Sequence, residues 1–151
     1  APRDEWSGDR GVGAQYFSQQ AVGRLIARAG VEIDPKMPLP EQLVQVQAWM
    51  SQGDDRARRI YETIGVYLGY QLGYLAEFYP LKHVLILGRV SSGPGGQILL
   101  DQARRVLQTE FPELAAQLSL HLPDERFKRH GQAIAAASLP EIGASDPTHP
   151  I

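Results

Sequence analysis

His83-Val84-Leu85-Ile86-Leu87-Gly88-Arg89-Val90-Ser91-Ser92-Gly93-Pro94-Gly95-Gly96 is the stretch that sets the fold class. Its opening residues are β-branched or leucine after the histidine and run into a glycine, the pattern of a short buried strand over residues 83–87. A glycine-rich loop follows over residues 88–96. Apolar residues then return at helical spacing, as Ile98, Leu99, Ala103, Val106 and Leu107, in a helix expected over residues 97–110. Phe111-Pro112 closes that helix, a helical turn covers residues 113–116, and Leu118-Ser119-Leu120-His121-Leu122 alternates as a half-buried second strand. Strand, loop, helix and strand form the grammar of a βαβ unit. An alanine-rich helix is expected over residues 130–137.

Upstream of this unit the chain reads as helices. Residues 1–14 are rich in Gly, Asp and Arg and read as an irregular loop. A short amphipathic helix is expected over residues 15–29, terminated by Gly30. After Pro35 and Pro38, Pro40 and Glu41 suit the first turn of a second helix, which Gly53 ends. Asp54 and Asp55 then open a long helix that is expected to run until Pro80 and to span roughly 37 Å. Its core side reads Ala57, Ile60, Tyr61, Ile64, Tyr67, Leu68, Leu72, Leu75 and Phe78. A second stripe, Gly65, Gly69 and Gly73, costs about 0.5–1 kcal/mol of helix stability per glycine relative to Ala, so a close backbone approach is expected there. Two strands are few for so many helices, and the chain reads as part of a larger architecture.

The chain has 151 residues, 43% hydrophobic and 21% charged, a net charge of −2 and no cysteine. That is one domain's worth of residues. The missing cysteines exclude disulfides, thiolate metal sites, Fe–S clusters and cysteine nucleophiles, and they fit a cytoplasmic protein. The near-neutral charge lacks the footprint of a nucleic-acid binder. No apolar run reaches about 18 residues and no basic stretch leads into an apolar one at the start, so neither a membrane span nor a signal peptide is expected.

The loop over residues 88–96 is the best candidate site, because it joins the carboxyl end of a strand to a helix start, where open α/β sheets bind ligands. Its candidate nucleotide contacts are Gly88, Arg89, Ser91, Ser92, Gly93, Gly95 and Gly96. The loop matches neither GxxxxGK[ST] nor GxGxxG, so a plain tight turn and a nucleotide contact both remain open. His83, His121, His130 and His149 are scattered without a metal-binding motif and read as structural or surface residues. GxSxG is absent, although Ser91 and Ser92 lie in the loop. Arg56, Arg58, Arg59, Arg104, Arg105, Arg126, Lys128 and Arg129 are interspersed with acids and read as solvated faces.

Taken in order, these segments resemble the carboxyl-terminal half of the ROK family, the repressor and sugar-kinase group of the actin-like ATPase superfamily. Val84-Leu85-Ile86-Leu87-Gly88 is similar to its strand and glycine loop, and Gly131-Gln132-Ala133-Ile134-Ala135-Ala136-Ala137 to its last helix. Glu5-Trp6-Ser7-Gly8-Asp9-Arg10-Gly11-Val12, followed by Tyr16, Phe17 and Ser18, keeps the glycines and spacing of its CxCGxxGC zinc loop. Glu5, Ser7 and Val12 replace the cysteines, and Arg89 stands where a second glycine is usual.

The resemblance implies an α/β fold, a partial ribonuclease H-like, actin-like ATPase domain over residues 1–140, while residues 141–151, carrying Pro, Gly, Ser and Asp, read as a disordered tail. It implies ATP with Mg2+ as ligand and no structural zinc, with Gly131 joining the glycine loop against adenosine. The family's DxGGT-type phosphate loop, catalytic aspartate and sugar-binding residues would lie before Ala1. The chain is then expected to be the nucleotide-side portion of a glucokinase-like transferase, phosphorylating a hexose only with the missing half and silent alone, as a homo-oligomer or paired with that half. The other expectation is a non-catalytic binding or dimerisation module, with the glycine stripe at a subunit contact.

Overall fold

A computed structural model describes residues 3–123. The expected helix over residues 130–137, Gly131 within it and the expected tail lie outside the described residues. The elements in chain order are α1 (Ala14–Phe17), α2 (Gln19–Ile26), a 3-10 turn (Ala27–Ala29), α3 (Leu39–Ser51), α4 (Asp55–Ala76), β1 (His83–Leu85), a 3-10 turn (Arg89–Ser91), α5 (Gly93–Glu110), α6 (Pro112–Gln117) and β2 (Ser119–His121). The result is a helix-rich α/β structure. β1 and β2 pair in parallel, with His83 beside Ser119, Val84 beside Leu120 and Leu85 beside His121, and α5 lies in the connection between them.

Local chemistry moves several of the expected boundaries. The single helix expected over residues 15–29 breaks at Ser18, whose extended backbone lets its side chain accept the Gln20 N–H as the N-cap of α2. Gly30 closes the following turn in the left-handed conformation, φ 71°. Asp54 caps α4 by accepting the Arg56 N–H at 2.8 Å and pairs with its guanidinium at 2.7 Å. The Arg56 side chain, with its backbone N–H, holds the Asp54 carboxyl down at about 2. α4 stops at Ala76 rather than reaching Pro80, because proline cannot donate to the Ala76 carbonyl and its ring crowds it. Phe78, expected on the core side, therefore lies past the helix end and is 64% exposed.

The glycine stripe lies inside the chain, against α5, in the most extensive contact between two elements. A Cβ on Gly65 would stand 2.5 Å from the Leu99 carbonyl oxygen, one on Gly69 2.6 Å from Val106 Cβ, and one on Gly73 2.5 Å from the Phe111 ring. This is the close approach expected from the sequence, and it places the stripe in an intramolecular contact rather than at a subunit contact. The helices also bury their faces on one another: Val22, Leu43, Val46, Ile60, Ile64 and Leu99 share one core, whereas Leu72, Leu100, Ala103, Leu107, Leu118 and Leu120 share a second beneath the strands. Among the described residues, the two-stranded sheet is consequently covered on one face only. β1 is three residues long and not buried as expected, with Leu85 54% and Leu87 44% exposed.

Tyr61 is wholly buried where α4 meets Gly95, and its hydroxyl has no hydrogen-bond partner among the described residues. Burial pushes the phenol up to about 12. Tyr61→Phe keeps the ring and removes the stranded hydroxyl, so it is expected to be neutral or to stabilise by up to about 1 kcal/mol. An unfolded tyrosine ionises near pH 10, below the folded-state value. The neutral phenol thus favours folding fully below pH ~10, and that contribution is lost as pH rises towards about 12. Urea unfolding across this interval should show wild type losing more stability than Tyr61→Phe.

Candidate functional site

Asp4 builds one wall of the site. Its Oδ2 accepts the N–H groups of Trp6 at 3.0 Å and Ser7 at 2.7 Å, while Oδ1 accepts from Gln20 Nε2 at 2.7 Å. The Asp4 N–H donates to the Asp9 carbonyl, and the Gly8 N–H donates to the Asp4 carbonyl. The Ser7 N–H and then the Gln20 amide lead in holding the Asp4 carboxyl below the usual carboxylate range. The loop that resembles a zinc loop is thus drawn together by a carboxylate. No group of three His, Cys, Asp or Glu side chains able to hold a metal exists among the described residues. The loop leaves Trp6 71% exposed.

Residues 87–90 form the opposite wall. Gly88 turns the chain out of β1 with φ 117° and ψ 169°, a conformation open to glycine and costly for other residues. Arg89 follows, exposed, with its carbonyl accepting from Gln47 Nε2 at 3.1 Å. Ser91 is buried and its hydroxyl donates to the Gly88 carbonyl at 2.8 Å, so it faces inward. Ser92 stands at the N-cap position of α5, and Gly93 is the first helical residue. The loop therefore ends at Ser92, four residues sooner than the glycine pattern implies. Gly95 and Gly96 are buried, and a Cβ on them would collide with the Tyr61 ring and the Ser91 carbonyl respectively.

Between these walls lies an open cleft of about 380 Å³, lined by Trp6, Phe17, Ser18, Gln19, Leu87, Gly88, Arg89 and Val90. It sits beyond the carboxyl end of β1. The positive end of α2 contributes at Ser18 and Gln19, Arg89 adds a guanidinium, and Trp6 and Phe17 add aromatic rings. An anionic group and a flat ring system are both accommodated by that chemistry. Of the sequence-derived candidates, Gly88 and Arg89 line the cleft, Ser91, Gly95 and Gly96 pack inside, Ser92 and Gly93 begin α5, and Gly131 lies outside the described residues. Trp6, Phe17, Ser18 and Gln19 were not candidates, since some seventy residues separate them from the glycine loop. The one available signal was an aromatic side chain within a polar, glycine-rich segment.

The structure also joins two histidines that look scattered in the sequence. His83 Nδ1 and His121 Nε2 lie 3.3 Å apart on the outer face of the strand pair. No helix among the described residues is long and apolar enough to cross a membrane. No protein-family model matches the chain, and no curated protein or solved structure matches it either. Fold and site together define a class by architecture: a helix-rich α/β protein with a cleft at the carboxyl end of a parallel strand.

Proposed function

We propose that this chain is the nucleotide-side portion of a ROK-type, sugar-kinase-like protein of the actin-like ATPase class. The observation that carries the reading is the convergence of Arg89, the α2 N-terminus and Trp6 on one cleft beyond β1. Arg89 and the α2 N-terminus would take nucleotide phosphate, and Trp6 would stack on the base. Magnesium would arrive on the nucleotide phosphates, because the described residues offer no three-carboxylate or histidine cluster for it. Phosphoryl transfer needs the nucleotide, metal, base and acceptor to be positioned together. The 151 residues hold no DxGGT phosphate loop, so this chain binds nucleotide without turning over hexose until a complementary half supplies that loop.

Calorimetric titration of the chain with ADP and with MgATP tests this reading. Wild type should bind saturably, and Arg89→Ala should weaken binding roughly tenfold or more, the worth of a charge-assisted hydrogen bond. Trp6→Ala should cost about tenfold through lost stacking. Absence of saturable heat in wild type, or unchanged affinity in both variants, overturns the proposal. The alternative, a non-catalytic association module, draws on the outward leucines Leu85 and Leu87 and the exposed Tyr70, Tyr74 and Phe78. It requires self-association in sedimentation together with no nucleotide heat.

A further inference from the structure

The histidine pair on the outer face of the strands carries an inference independent of the nucleotide reading. His83 belongs to β1 and His121 to β2, and the parallel register sets Leu85 beside His121, so the two histidines are diagonal neighbours on one face. Both are exposed, with ring centroids 5.5 Å apart and planes inclined by 34°. Their facing nitrogens, His83 Nδ1 and His121 Nε2, are 3.3 Å apart. In the absence of a metal, the two nitrogens are within hydrogen-bond reach when one ring nitrogen carries the proton. The same separation also matches the edge of a coordination tetrahedron: two nitrogens each about 2.0–2.1 Å from Zn2+, at the tetrahedral angle, stand about 3.3–3.4 Å apart.

We propose that His83 and His121 form a two-point site for Zn2+ that clips β1 to β2, with water completing the tetrahedron. Coordination requires both nitrogen lone pairs to turn onto a common point, and the exposure of both rings leaves their side-chain torsions room to do so. Imidazole nitrogen suits zinc and related transition metals, whereas Mg2+ prefers oxygen ligands. The physical role follows from the sheet. Two strands of three residues are marginal by themselves, and a cation that binds only when they are aligned stabilises that alignment by linkage.

The test uses the full chain, freed of metal by chelator and titrated with zinc chloride by calorimetry and thermal unfolding. Wild type should bind one Zn2+ and unfold at a higher temperature in its presence, with no such response to magnesium chloride. Losing a ligand should weaken binding by at least the roughly 10–100-fold that loss of an outer-shell partner costs, in both His83→Ala and His121→Ala. The double variant His130→Ala/His149→Ala should keep wild-type affinity, and His83→Gln and His121→Gln guard against a packing effect of alanine. ADP binding should persist in every histidine variant, which separates this outcome from that of the nucleotide reading. No zinc response in wild type, or an equal response in the His83 and His121 variants, overturns the proposal.

Discussion

Gly65→Val is expected to lower the free energy of unfolding by about 3 kcal/mol or more, at the upper end of what overpacking a close contact costs. A Cβ at this position would lie 2.5 Å from the Leu99 carbonyl oxygen and 2.8 Å from Gln102 Cβ, both on α5. The carbonyl belongs to the helix backbone, so relief requires α5 to move away from α4, and that movement opens the largest contact in the structure. Gly65→Ala is the finer probe. Alanine regains about 0.5–1 kcal/mol of helix propensity, against about 1–3 kcal/mol of overpacking, leaving a net loss of up to about 2.5 kcal/mol. Gly73→Ala should be milder, because its obstacle is the half-buried Phe111 side chain, whose ring can swing aside. Arg59→Ala on the exposed face should stay within about 0.5 kcal/mol. Urea unfolding followed by circular dichroism checks the series. A stabilised Gly65→Ala would mean that α4 and α5 do not approach this closely.

Gly96→Ala should combine loss of stability with loss of nucleotide affinity. A Cβ there would meet the Ser91 carbonyl group, lying 2.8 Å from its carbon. Ser91 closes the turn whose first residue, Arg89, lines the cleft. The expected cost is about 2–3 kcal/mol of stability, accompanied by a roughly tenfold weaker ADP affinity as the Arg89 backbone is displaced, a shift worth about 1.4 kcal/mol. Gly95→Ala separates the two effects, since its obstacle is the buried Tyr61 ring rather than the cleft loop. It should cost comparable stability while leaving ADP affinity within a factor of about two. Equal loss of ADP binding in both variants would show that the cleft responds to general loosening and not to the placement of residues 88–91.

Much of the local structure is legible along the chain because caps and breakers act over a few residues. Asp54 opens α4 and Gly30 closes the turn after α2, each through a side chain or backbone angle set by its own neighbours. The spacing of Gly65, Gly69 and Gly73 announced a close approach, and the structure supplies the partner, α5. Strand burial was misread because leucines occupy outward positions of β1 and its continuation, so the alternation that marks a half-covered strand is hidden. Glycine richness overstated the loop as well. Gly95 and Gly96 serve helix packing, and composition does not distinguish a glycine that frees the backbone from one that makes room for a neighbour.

The candidate site was half legible. Gly88 and Arg89 follow from their place after a strand, but the opposite wall depends on Asp4 folding the first loop back onto Gln20. The sequence by itself determined the start of α4 at its Asp54 cap and the turn closed by Gly30, the strand–helix–strand unit and the need for small residues along α4. It did not determine the Ser18 and Ser92 caps that set the starts of α2 and α5. Only the tertiary structure decided that the helices bury one another, that Trp6 faces Arg89 across a cleft, and that His83 meets His121. The division has a physical cause. Periodicity and capping are written in neighbours a turn apart, whereas contacts between distant residues depend on how whole surfaces pack once the helices dock.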